Sequence, residues 1–151
     1  MQISGSVALV TGANRGLGLA FSRELVRRGA AKVYGAARNP AAVTEPGVLP
    51  VALDITDGDQ VERVAAQCAD VSLLVNNAGV LRYSTFTSAP DLDAARQEME
   101  TNYFGTLRMC RAFEVLADER SRDVKAKLSR DHELIYPPIQ EFWDAAVSGA
   151  S

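Results

Sequence analysis

Apolar residues are arranged along this chain in two alternating ways. Val7–Val10, Lys32–Ala36, Val48–Leu53 and Val71–Val75 are short, largely apolar runs. Runs of that length suit strands covered on both faces. Between them the spacing changes. Leu17, Ala20, Phe21 and Leu25 recur at helical intervals from Gly16, with Arg23, Glu24, Arg27 and Arg28 among them, and Gly29 is placed to stop the helix. Asn39–Pro50 carries three prolines and a glycine and reads as a loop leading into the third strand. Thr56 is expected to cap a second helix running to about Ala69, with Asp59 as a short capping-box partner. Ser88-Ala89-Pro90 is expected to start a long helix whose apolar stripe is Leu92, Ala95, Met99, Leu107, Cys110 and Phe113. Strands alternating with helices predict an α/β fold, a parallel sheet with right-handed crossovers.

The pattern changes near Glu114. Glu114–Arg130 is a charge-rich helical stretch, Pro137-Pro138 breaks the chain, and Ile139–Val147 fits one short amphipathic helix. No fifth strand is visible after Phe113. Two regions are therefore expected, 1–113 and a helical tail, 114–151. There is no internal repeat.

Composition narrows the classes. The 151 residues suffice for about one domain, and 47% hydrophobic with 23% charged residues is ordinary for a globular chain. A net charge of −3 gives no reason to expect nucleic acid or an anionic membrane as partner. Cys68 and Cys110 lack any C-x-x-C context and are expected to be buried thiols rather than a disulfide or zinc site. No apolar run approaches membrane-spanning length, and Met1–Ser6 has no signal-peptide pattern, so a cytoplasmic protein is expected.

Candidate chemistry concentrates at the strand ends. "TGANRGLG", Thr11–Gly18, follows the first strand and opens the first helix. Gly12 permits a tight turn, Gly16 lets backbone approach a pyrophosphate, and Gly18 permits close packing of helix on strand, while the helix start offers free N–H groups to phosphates. A purely structural glycine turn is the alternative. Asn14, Arg15 and Leu17 sit in the same turn and join the cofactor-binding candidates. The second strand ends in "GAARNP", with no acid to bind ribose hydroxyls but with Arg38, 20 positions after Gly18. A guanidinium there can pair with a 2′-phosphate, and Arg15 can add a second charge, which favours NADP(H) over NAD(H); ordinary surface arginines are the alternative. Asp54, in "LDIT", stands at a strand end where it can accept from an adenine amine, start a helix beside Thr56, or both. "NNAG", Asn76–Gly79, can tie neighbouring strand ends together and leave small residues beside a cofactor ribose.

The motifs "TGANRGLG", "LDIT", "LVNNAG" and "TNYFG" together resemble the short-chain dehydrogenase/reductase family over residues 1 to about 113. The resemblance implies a Rossmann-like three-layer αβα fold, here a truncated sheet of about four strands in the order 3-2-1-4. It implies that Gly12, Gly16 and Gly18 line the pyrophosphate, that Asp54 and Ile55 meet the adenine, and that Asn77, Ala78 and Gly79 meet the adenosine ribose region. Asn102 matches the family's helix asparagine that helps hold a water in a proton relay. Small-molecule carbonyl or alcohol substrates are implied, with a homo-oligomer possible through the 91–113 helix and an exposed fourth strand. No metal site is expected.

The family's chemistry also uses a serine and a tyrosine four residues before a lysine. Only Lys32, Lys125 and Lys127 are present, and the residues four before them are Arg28, Ser121 and Asp123. No Y-x-x-x-K exists here. Tyr83, Tyr103 and Tyr136 read as packing residues, and His132 as a surface residue. "EVLADERSRDVKAKLSRDHELIYPP" resembles the far C-terminal segment of some bacterial members, which suggests a join near Phe113–Glu114 with the catalytic segment missing between. The expectation is a dinucleotide cradle with impaired catalysis, or else a non-catalytic binding or interaction module.

Overall fold

The computed structural model describes residues 3–82 and 92–120, with side chains described as far as Phe113. Met1–Leu116 forms a compact unit of its own. Among the described residues its sheet has four strands: β1 (Val7–Thr11), β2 (Lys32–Ala37), β3 (Val48–Ala52) and β4 (Leu73–Val75). All pairings are parallel and the order is β3-β2-β1-β4, as expected. The central strand, β1, has Ala8, Leu9 and Val10 fully buried. It shows no alternation because both of its faces are covered. Pro50 lies in β3, an edge strand, where a missing ladder donor is tolerated.

The helices form two outer layers. On one face, α1 (Gly16–Arg27) sets Leu25 against Ala8, Val10 and Val33. It ends as Gly29 predicts. Gly29 takes φ +78°, its N–H reaches the Val26 carbonyl at 3.0 Å, and the Ala30 N–H reaches Leu25 at 3.1 Å. This is a Schellman ending, which needs a residue that adopts positive φ without strain. On the other face, α2 (Gly58–Gln67) places Val61, Val64 and Ala65 beside Leu9, Leu53 and Ile55.

The cap of α2 differs from expectation. Asp57, not Thr56, is the N-cap: its carboxylate accepts from the Gln60 N–H at 3.0 Å and from the Gln60 side-chain amide at 2.7 Å. Gln60, rather than Asp59, meets the cap, but its Oε1 takes the Asp54 N–H and not the Asp57 N–H, so no capping box closes. The carboxylate wins because it meets two donors of the first turn at once, whereas the Thr56 hydroxyl turns back to Asp54.

The long helix carries a larger correction. Its expected start at Ser88–Pro90 lies outside the described residues. From Asp93 it runs as α3 (Asp93–Glu98), a π-helical stretch (Met99–Gly105) and α4 (Thr106–Arg120) with helical backbone across both joins. Of the expected stripe only Phe113 is buried; Leu92, Ala95, Met99, Leu107 and Cys110 are exposed. The inward residues are Gly105, Met109 and Phe113. A π-helical turn takes more residues than an α-helical one, so it carries Leu107 and Cys110, which follow it, out of the phase that the upstream spacing sets. Met109 and Phe113 pack into the α2 face of the core, each stabilising by about 1.5–3 kcal/mol. The outer face is left with Met99, Tyr103, Phe104 and Leu107. Tyr103 is thus not a core residue; it stands edge-on to Phe104 at 5.1 Å.

Cys68 is buried as expected, and Cys110 is exposed, contrary to expectation. Among the described residues, β4 pairs with β1 alone, and no helix is long and apolar enough to cross a membrane.

Candidate functional site

The C-terminal ends of the parallel strands are laced together before they splay. The Thr11 hydroxyl, at the end of β1, accepts from the Asn77 N–H at 2.9 Å and the Ala78 N–H at 3.0 Å. It donates to the Val75 carbonyl at 3.4 Å. In return the Asn77 carboxamide donates to the Thr11 carbonyl at 2.9 Å. Asn77 therefore ties β4 to β1, as the motif predicts. Asn76 does not; its amide reaches the Cys110 sulfur at 3.3 Å.

The three glycines of the turn do different work. Gly12 takes φ +69°, and a Cβ there would lie 3.1 Å from Ala78 Cα. Gly16 takes φ +56° with open space where a Cβ would stand. Gly18 is packed hardest: a Cβ would lie 2.1 Å from the Gly12 carbonyl oxygen and 2.5 Å from Asn77 Nδ2. That close approach brings the start of α1 against the end of β1.

The start of α1 is left electrostatically open. Arg15 occupies its N-cap without a side-chain hydrogen bond, and no acid lies in its first turn. By contrast, α2 has Asp57 as cap and Asp59 in its first turn. Uncapped N–H groups and the positive end of the helix dipole favour an anion from outside the chain.

These features border one cleft of about 690 Å³. The turn contributes Gly12, Asn14, Arg15, Gly16 and Leu17; the end of β2 contributes Arg38; the segment after β3 contributes Asp54 and Ile55; and the segment after β4 contributes Asn77, Ala78 and Gly79. Gly18 does not line it, since its place is between helix and strand. Arg15 and Arg38 are exposed, and among the described residues neither side chain has a hydrogen-bond or ion-pair partner. Sequence reasoning misses the opposite wall, where Arg82, Gln97, Glu100 and Thr101 lie. The Arg82 guanidinium donates to Gln97 Oε1 at 2.7 Å. Glu100 stands 2.7 Å from Arg108 Nη1, an ion pair too bent to be a hydrogen bond. Of these four residues only Thr101 falls in a motif, "TNYFG"; nothing local marks Arg82, Gln97 or Glu100.

Asp54 is half-buried and its carboxylate is used unevenly. Oδ1 accepts from the Thr56 N–H at 3.0 Å and the Thr56 hydroxyl at 2.8 Å. Oδ2 has no partner among the described residues. The Asp54 N–H donates to Gln60 Oε1 at 3.0 Å. Its helix-starting role passes to Asp57, whose carboxyl the Gln60 N–H and side-chain amide hold below the ordinary value of 3.8.

Asn102, in the π-helical stretch, does not line the cleft. Its carboxamide grips the Val80 backbone at both ends: Oδ1 accepts from the Val80 N–H and Nδ2 donates to the Val80 carbonyl, each at 2.8 Å. It fixes the segment after β4 to the helix.

Comparison with known proteins gives one consistent result. The family model for short chain dehydrogenase matches residues 6–122. Sorbitol dehydrogenase of Cereibacter sphaeroides is 35% identical over 125 residues, covering 74% of this chain and 47% of that protein. Carbonyl reductase [NADPH] 1 of Bos taurus is 36% identical over 123 residues, covering 73% of this chain and 44% of that protein. Among solved structures, a short chain dehydrogenase from Burkholderia cenocepacia J2315 in complex with NADP aligns with a TM-score of 0.75 and 49% identity, over 79% of this chain and 51% of that one. The chain spans about half the length of the curated relatives it matches.

Proposed function

The chain belongs to the short chain dehydrogenase family, and on that premise we propose that its cleft holds the adenosine–pyrophosphate half of NADP(H). The observation that carries this is the uncapped start of α1, opening on a cleft that also presents the unpartnered Arg15 and Arg38. The fit is chemical as well as spatial. The glycine turn and first-turn N–H groups suit the pyrophosphate. Arg38, with Arg15 also in the cleft lining, suits a 2′-phosphate, and no carboxylate stands at the end of β2 to select unphosphorylated ribose. Asp54 and Ile55 suit the adenine, and Ala78 and Gly79 the ribose beside it. Binding of NADP by the aligned Burkholderia protein supports the reading.

When bound, NADP(H) supplies or accepts a hydride at its nicotinamide ring. The reaction that the held cofactor would serve is interconversion of an alcohol and a carbonyl, the class for which the sorbitol dehydrogenase and carbonyl reductase relatives are named. This chain's own residues bind and orient the adenosine half. Asn102 positions the segment after β4 through Val80. No tyrosine stands four residues before any of its lysines. General acid–base assistance, roughly 10²–10⁴-fold in rate, thus has no tyrosine–lysine pair to supply it. The 151-residue chain accordingly acts as a cofactor holder with negligible turnover of its own.

Calorimetry tests this. NADP and 2′,5′-ADP should bind with similar affinity, because the chain reads the half they share. Arg38→Asp should weaken NADP by on the order of 10–100-fold, the loss of a charge-assisted contact, and NAD far less. Equal weakening of both would remove Arg38 from the phosphate, and reduction of aldehydes by NADPH at enzymatic rates would refute the holder reading.

A further inference from the structure

Building on the reading that the cleft takes the adenosine half of NADP(H), we propose that Thr56 and Gln60 are positioning residues. They aim Asp54 at the base and make the site specific for a 6-amino purine. Three contacts place the carboxylate. Two donors of Thr56 saturate Oδ1 at 3.0 and 2.8 Å, so that oxygen is turned toward the protein. Oδ2 remains without a partner among the described residues, on a residue that lines the cleft. The third contact fixes the backbone beneath. Gln60 reaches back from the first turn of α2, takes the Asp54 N–H on Oε1 at 3.0 Å and gives its amide to Asp57 Oδ2 at 2.7 Å.

The chemistry comes from the free oxygen. An ionised carboxylate accepts hydrogen bonds and donates none. Oδ2 can accept a hydrogen bond from the exocyclic amine of adenine. Hypoxanthine puts a carbonyl oxygen at that position, and two acceptors repel. A carboxylate free to rotate would turn to solvent and discriminate poorly. Thr56 lines the cleft and Gln60 does not; both act by holding the Asp54 carboxylate in place.

The test is calorimetric titration of the full chain with NADP and with its hypoxanthine analogue, the ratio of the two affinities being the readout. The unaltered chain should favour NADP by on the order of tenfold, one net hydrogen bond. Thr56→Val and Gln60→Leu should each bring the ratio to within about threefold of unity, a partial loss of that bond. Thr56→Ser, which keeps the hydroxyl, should preserve it. Circular dichroism confirms that each variant is folded, and Gln60→Leu stands in if Thr56→Val is not. A merely structural role would weaken both ligands alike; an unchanged ratio in the folded variants overturns the proposal. Equal binding of both dinucleotides by the unaltered chain also overturns it while leaving the cofactor reading intact. Failure to bind NADP at all overturns both the cofactor reading and the positioning role.

Discussion

Replacing Gly18 by alanine adds one methyl group at the tightest point of the fold. The new Cβ would lie 2.1 Å from the Gly12 carbonyl oxygen, 2.5 Å from Asn77 Nδ2 and 2.8 Å from the Gly12 carbonyl carbon. Two of those three atoms are backbone, so no rotamer change relieves them. The start of α1 must move off β1 to make room. Overpacking of this kind costs about 1–3 kcal/mol, and the displaced Asn77 amide puts a further ~1 kcal/mol at risk through its bonds to Thr11 and Gly12. The sum, about 2–4 kcal/mol, is a large share of the 5–15 kcal/mol typical of a domain. With about 4–8 °C per kcal/mol for a domain near this size, the melting temperature should fall by roughly 8–30 °C. Urea and thermal unfolding followed by circular dichroism measure it. Gly16→Ala is the control. Its methyl meets nothing within 4 Å and only the positive φ of +56° opposes it, at about 1 kcal/mol. Gly16→Ala should therefore stay folded but lose NADP affinity, whereas Gly18→Ala should lose stability first. A Gly18→Ala chain as stable as the parent would refute the close packing on which the cleft's geometry depends.

Asp57→Ala removes the α2 cap and should lower the melting temperature by about 5 °C. Because folding depresses the Asp57 pKa, its stabilisation is complete above the ordinary value of 3.8 and fades as pH falls below that toward the lowered folded value; acid unfolding of parent and variant should converge there. Asn102→Leu should release the grip on Val80 and speed hydrogen exchange at the Val80 amide, with a stability loss of about 1 kcal/mol; unchanged protection would show that the clamp is not needed. Native-state alkylation should modify the exposed Cys110 and spare Cys68, which is buried and whose thiol pKa burial raises; Cys68 should react only on unfolding.

Where sequence and structure part company, the cause lies in geometry across the chain. The four strands and the Gly29 stop are local facts, written in continuous apolar runs and one positive-φ glycine. The turn residues Gly12, Arg15 and Gly16, together with Arg38, Asp54 and Asn77, are legible because each follows a strand, and parallel strands deliver their C-terminal ends to one edge. Thr56 is a reasonable cap by type, but choosing between it and Asp57 requires knowing which oxygen reaches Gln60. The buried stripe of the long helix escapes periodicity, which assumes an unbroken α-helix. The π-helical residues Met99–Gly105 break that assumption without any glycine or proline in their first five positions to announce it.

Residue type and spacing suffice for the strand–helix alternation, the glycine-rich turn and the lack of a tyrosine–lysine pair, because no folding changes them. Packing, in turn, decides which glycine serves close contact and which faces open space. It decides which face of the long helix is buried, and that Asn102 holds backbone rather than lining the cleft. Each of those depends on distances between segments brought together from distant parts of the chain, set when helices settle on the sheet. Spacing along a chain carries no record of them.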